Sequence, residues 1–179
     1  MRVGNHSVIL RNATPNDMAV VRDIYAHHVL EGLASFEEVA PDRSEMIRRL
    51  EAIRKRRLPY MVAELDGAVQ GYAYAAPYRS RPAYRYTVED SIYVAPDAAG
   101  RGLGRLLLSE LIEACTAEGY RLMVAIIGDS GNKASINLHA KLGFENAGLL
   151  PSAGFKLGRW VDQVIMVRPL GPGDGELPE

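Results

Sequence analysis

The sequence predicts one α/β domain, with strands and helices alternating along 179 residues. Three observations carry this reading. Tyr60 to Leu65 and Ala68 to Ala75 are strand-like runs joined by Asp66-Gly67, a strong hairpin signal. Tyr93 to Arg105 passes from an apolar strand through a glycine-rich turn into an amphipathic helix. Leu122 to Ile127 is a near-continuous apolar run, the pattern of a buried strand. The length suits one domain with a sizeable core, and no repeat or interdomain linker divides it.

Taken in order, Val8 to Arg11 reads as the first strand. Thr14-Pro15-Asn16-Asp17 has a helix-start pattern: a capping threonine, proline at the first position and an acid in the first turn. The helix behind it carries Val20, Val21, Ile24, Tyr25 and Val29 at helical spacing. Gly32 to Ala40 is a loop. A second helix is expected from Asp42 to Arg57, its arginines tempered by Glu38, Glu45 and Glu51 into a solvated face. After the hairpin, Pro77 to Arg85 is a loop and Tyr86 to Val94 a strand.

The main helix is expected over Leu103 to Glu118, with Leu103, Leu106, Leu107, Leu111, Ile112 and Cys115 as its apolar stripe. Asn132 to Leu142 reads as a helix ended by Gly143, and Phe144 to Leu150 and Val161 to Arg168 as closing strands. The domain is expected over residues 8–170. The segment 171–179, rich in glycine, proline and acids, is expected to be disordered.

Composition excludes several classes. The chain is 47% hydrophobic and 24% charged with a net charge of -1, so no general basic field recruits nucleic acid. Cys115 is the one cysteine and fits a buried core thiol; no Cys/His cluster has metal spacing, and no metal is expected. No membrane-length apolar run or leader pattern is present, so no membrane partner is expected and the cytoplasm is the expected compartment.

The chemistry concentrates at Gly100-Arg101-Gly102-Leu103-Gly104-Arg105. Glycines at alternate positions let a ligand approach the backbone, and the following helix aims its positive end at the same place. Arg101 and Arg105 stand where a helix prefers acids, which asks for a bound anion such as a pyrophosphate. The alternative is a tight strand–helix turn in which glycine only permits close packing. The dinucleotide fingerprint fails because Arg105 stands where its third glycine belongs, and no nucleotide P-loop is present.

This turn, together with Asn132-Lys133-Ala134-Ser135-Ile136-Asn137-Leu138-His139-Ala140-Lys141-Leu142-Gly143-Phe144, resembles the GNAT acetyltransferases over nearly the whole chain. Ser35-Phe36-Glu37, Thr87 to Val94 and Lys156 to Asp162 resemble the branch that acetylates phosphinothricin and methionine sulfoximine. The resemblance implies a mixed, mostly antiparallel central sheet flanked by helices, with acetyl-coenzyme A as cosubstrate. It places Ile92, Tyr93, Val94, Gly100, Arg101, Gly102, Leu103, Gly104, Arg105, Asn132 and Ser135 on that cosubstrate. Ala99 departs from the arginine or glutamine common there.

Strand alternation puts Thr87, Glu89, Ser91 and Tyr93 on one face. Glu89 matches the family's glutamate base, which would take the proton of an ammonium substrate. Asp90 breaks the apolar face and is expected near an edge or bulge. His139 lies two helical turns after Asn132, where it would either serve as acid for the departing thiolate or simply pack. The acceptor is expected to meet Phe36, Glu37, Arg79, Arg81, Arg85, Glu89, Asp90 and Ser91, with the arginines holding an acidic group. His27 and His28 read as surface or lining residues. The resemblance also implies a homodimer, to which Gly154 to Trp160 could contribute. Competing readings are a polyamine or protein N-terminus as acceptor, and a non-catalytic acyl-coenzyme A sensor.

Overall fold

The computed structural model describes residues 2–3 and 6–177. Eight strands form one sheet: β1 (Arg2–Val3), β2 (His6–Asn12), β3 (Tyr60–Leu65), β4 (Ala68–Pro77), β5 (Thr87–Val94), β6 (Leu122–Gly128), β7 (Glu145–Lys156) and β8 (Arg159–Pro169). Their order is β1-β2-β3-β4-β5-β6-β8-β7. Only β5 and β6 run parallel, so the sheet is mixed and mostly antiparallel, as the resemblance implied.

Four helices cover it: α1 (Met18–Leu30), α2 (Arg43–Lys55), α3 (Leu103–Ala117) and α4 (Lys133–Lys141). Helices α1 and α2 pack on the face that carries Tyr60, Tyr72 and Tyr93, where Tyr25 meets Tyr93 edge-on at 5.0 Å. Helix α3 lies on the opposite face, where a Cβ on Gly71 would meet the Leu107 side chain at 3.2 Å.

Local chemistry explains the elements. The Thr14 backbone N–H and hydroxyl both donate to the Asp17 carboxylate, which Arg11 grips from the other side. This closes a 3-10 turn, Pro15–Asp17, ahead of α1. Asp42 caps α2 by accepting from the Glu45 N–H. Asp66 and Gly67 take φ of 51° and 86°, the left-handed pair that a tight hairpin needs.

Several expectations change. In α3 the buried stripe includes Leu108, whereas Leu106 is only partly covered. Val20 faces solvent. The last two strands are longer than expected and form a hairpin turned by Leu157 and Gly158, both at positive φ. The segment expected to be disordered forms turns as far as residue 176, with the Gly173 N–H on Leu170 and the Gly175 N–H on Pro172; residues 178 and 179 lie outside the described ones. Cys115 is buried, which pushes its thiol up to about 12.

Candidate active site

Strands β5 and β6 pair from Thr87/Leu122 to Asp90/Ala125 and then part. Beyond that point β6 continues with β8, while Ser91 to Val94 stay paired with β4 alone. One edge of that backbone is therefore left without a strand partner. A cavity of about 880 Å³ opens at the split and is lined from both faces of the sheet.

One end of the cavity is the glycine turn. Gly100 and Gly102 have φ of 76° and 79°, and a Cβ on Gly100 would meet nothing within 4 Å. Gly102 is the N-cap of α3, with no side-chain cap and no acid in the first turn. The first-turn N–H groups thus have no intrahelical partner and face an open space. Gly100, Gly102, Leu103, Gly104 and Arg105 line the cavity, as do Ile92, Tyr93, Val94, Asn132 and Ser135. Arg101 does not: its side chain is exposed and its N–H is turned back to Ala98. Asn132 spends its carbonyl oxygen on the Ser135 N–H, capping α4.

At the other end stand Glu89 and Ser91, flanked by Tyr74, Tyr25 and the loop residues Ser35, Phe36 and Glu37. Glu89 is partly buried and makes no hydrogen bond or ion pair among the described residues. Burial, and then the neighbouring Asp90, push its carboxyl above the ordinary glutamate value, while Arg79 opposes the shift. A carboxylate raised in this way, open to a cavity, is suited to accept a proton.

The loop before Glu37 is clasped from several sides. Lys156, buried at the end of β7, donates to the Ser35 carbonyl at 2.6 Å. The Tyr25 and Ser35 hydroxyls share a hydrogen bond. The Phe36 ring lies where a side chain on Gly154 would stand, and the Leu33 carbonyl where one on Gly128 would.

His139 is buried, with both ring nitrogens engaged. Nε2 lies 3.0 Å from Asp90 Oδ2 and Nδ1 2.8 Å from the Ser135 carbonyl. Desolvation lowers its pKa, but the Asp90 hydrogen bond and charge outweigh that and leave it raised. Both nitrogens facing oxygen acceptors is the pattern of an imidazolium donating twice. The ring lines the cavity with both nitrogens already taken, by Asp90 and by the Ser135 carbonyl. Asp90 is buried on the central strand β5, at the last residue paired with β6; it lines the cavity and holds His139.

Arg79, Arg81 and Arg85 are all exposed and none lines the cavity. A 3-10 turn at Pro82–Tyr84 lies within their loop, Arg79 and Arg85 lie over Tyr78 and Tyr86, and the Arg79 charge reaches Glu89. Arg49, read in the sequence as part of a solvated face, is instead tied to Glu37 and Glu45. His28 lines the cavity and bonds the Val94 carbonyl through Nε2, whereas His27 pairs with Glu31 at the surface. Among the described residues no His/Cys/Asp/Glu group could hold a metal, and no helix is long and apolar enough to cross a membrane.

Comparison with known proteins agrees with this geometry. Residues 23–144 match the acetyltransferase (GNAT) family. The chain is 54% identical over 170 residues to the phosphinothricin N-acetyltransferase of Alcaligenes faecalis, covering 95% of this chain and 86% of that protein. It is 41% identical over 157 residues to the L-methionine sulfoximine/L-methionine sulfone acetyltransferase of Salmonella typhimurium, covering 88% and 91%. Among solved structures, a phosphinothricin acetyltransferase from Sinorhizobium meliloti in complex with acetyl-coenzyme A superposes with a TM-score of 0.93 at 47% identity, covering 96% and 93%.

Proposed function

The chain belongs to the GNAT acetyltransferase family, and on that premise we propose that it acetylates the α-amine of an amino-acid analogue of the phosphinothricin or methionine sulfoximine type. Acetyl-coenzyme A supplies the acetyl thioester. The observation that carries the reading is a single cavity with an uncapped glycine turn at one end and an unpaired glutamate with a raised pKa at the other.

The residues present fit the cosubstrate. The N–H groups of Gly102 to Arg105 would hold its pyrophosphate, with the unpaired Arg105 side chain beside them. The edge of Ser91 to Tyr93, which has no strand partner beyond β4, offers backbone groups to the amides of the pantetheine arm, as an open strand edge does to a peptide. Asn132 keeps its side-chain N–H₂ for the same arm after capping α4.

Glu89 withdraws the ammonium proton, directly or through water, and frees the nitrogen lone pair for acyl transfer. A departing thiolate with an ordinary thiol pKa of about 8.5 leaves without prior protonation, so His139 is not required as an acid. Instead His139 and Asp90 hold α4 against β5, which fixes the pantetheine helix relative to Glu89. Arg79, whose charge reaches Glu89, is the loop arginine best placed for the acceptor's carboxylate.

We further propose a homodimer. Phe155 and Trp160 meet edge-on at 5.4 Å at the end of the β7–β8 hairpin and remain largely exposed, as does Leu157. A second copy of the chain would cover them beside the acceptor loop. Acceptor assignment is tested by thiol release from acetyl-coenzyme A against a panel of amines. Turnover of methionine sulfoximine or phosphinothricin supports it; turnover of spermidine or a peptide N-terminus alone overturns the acceptor and leaves the acetyl transfer.

A further inference from the structure

Helix α1 reaches the split edge of β5 through one side chain. His28 Nε2 lies 3.0 Å from the Val94 carbonyl oxygen. A carbonyl only accepts, so Nε2 carries the proton. Backbone groups alternate in direction along a strand. The Tyr93 carbonyl turns toward β4, where a Cβ on Gly71 would meet it at 3.2 Å. Ile92 and Val94 therefore face the split, and the Val94 carbonyl is the last acceptor there before the glycine turn. His28 occupies it, so a ligand lying along that edge finds one backbone acceptor already taken.

The ring itself offers a replacement. It lines the main cavity and packs against Tyr93 at 5.3 Å and edge-on to His27 at 5.4 Å. His27 is turned to Glu31. The other charged groups on the cavity wall are Glu37, Glu89, Arg105 and the Asp90–His139 pair, and none of them pairs with His28. Burial lowers the His28 pKa below 6.5, opposed by the Val94 bond and assisted by His27. At neutral pH the imidazole is uncharged, and Nδ1 is a bare acceptor. Nδ1 makes no hydrogen bond among the described residues and is not sealed from solvent.

We propose that His28 is a cosubstrate-binding residue, whose Nδ1 accepts a hydrogen bond from an amide N–H or hydroxyl of the pantetheine arm in place of the Val94 carbonyl that Nε2 occupies. This rests on the placement of the arm along β5 above and adds a side chain of α1 to it. Protonation of the ring turns Nδ1 into a donor facing a donor, so the contact is lost in acid.

Calorimetry with coenzyme A and with adenosine 3′,5′-bisphosphate, which lacks the arm, tests it in the wild type, His28→Phe and His28→Gln. Phenylalanine keeps a ring against Tyr93 and His27 but neither donates nor accepts. At neutral pH His28→Phe should bind coenzyme A about three- to tenfold more weakly and the bisphosphate as tightly as the wild type. Glutamine can donate to Val94 and accept from the arm, and it does not titrate. His28→Gln should therefore bind coenzyme A within about twofold of the wild type at neutral pH. Below pH 6.5 the wild type should lose affinity relative to His28→Gln, about threefold or more by pH 5. The ligand's phosphates and His139 titrate alike in both proteins, so the ratio isolates His28. Parent affinity in His28→Phe, an equal loss for the bisphosphate, or a ratio that stays flat with pH overturns the proposal and leaves the acetyl transfer intact. A wild type that does not bind coenzyme A overturns the acetyltransferase reading itself, and the role of His28 with it.

Discussion

His139 Nε2 lies 3.0 Å from Asp90 Oδ2, and the two side chains are only 5% and 3% exposed. The contact joins α4 to β5 next to Glu89. Asp90 Oδ1 has no other partner, so the pair has little to replace it. Removing one member of a buried pair leaves the other uncompensated, and His139→Ala should cost about 3 to 5 kcal/mol in urea unfolding.

The pair also sets a pH dependence. The folded His139 pKa is raised above its ordinary 6.5, so it contributes stability that is fully present below that value. The contribution is lost as pH rises through the folded value. The stability difference between wild type and His139→Gln should therefore shrink from pH 6 upward across that window. A difference that grows with pH would mean the ring is buried neutral.

Arg79 opposes the upward shift of Glu89. Arg79→Ala should move the acidic limb of the kcat/KM profile to higher pH, because the base then holds its proton longer. It should also raise KM for the acceptor. An unmoved limb would separate Arg79 from the base.

Gly102 caps α3 at φ 79°, a conformation that costs a side-chain-bearing residue about 1 to 2 kcal/mol. Gly102→Val adds bulk where the pyrophosphate is placed. Calorimetry should show acetyl-coenzyme A binding weakened about tenfold or more. Binding at the parent affinity would put the phosphates elsewhere.

Lys156 holds the acceptor loop through the Ser35 carbonyl. Lys156→Met should raise KM for the acceptor about three- to tenfold, with KM for acetyl-coenzyme A unchanged. Parallel rises in both constants would point to general loss of structure.

Much of this was legible in the sequence because the signals are local. The hairpin turn, the glycine turn and the α4 cap each depend on residues a few positions apart. Strand alternation was enough to place Glu89, Ser91 and Tyr93 on one face. The remainder depends on long-range partners. Asp90 is a lone acid on an apolar strand face, and its partner is 49 residues away. Lys156 finds Ser35 across 121 residues. Arg49 looks like any arginine of a charged helix until the fold brings Glu37 to it. The loop arginines were placed near Glu89 by their closeness along the chain, and the Arg79 charge does reach it.

The most direct test of the central claim is the turnover of Glu89→Gln with saturating acetyl-coenzyme A and methionine sulfone at neutral pH, alongside cosubstrate affinity by calorimetry. Glutamine keeps the shape and cannot take the ammonium proton. The expected result is a kcat lower by about 100- to 10,000-fold with acetyl-coenzyme A bound as tightly as by the wild type. An unchanged rate, with chemistry rate-limiting, would contradict the assignment of Glu89 as the base.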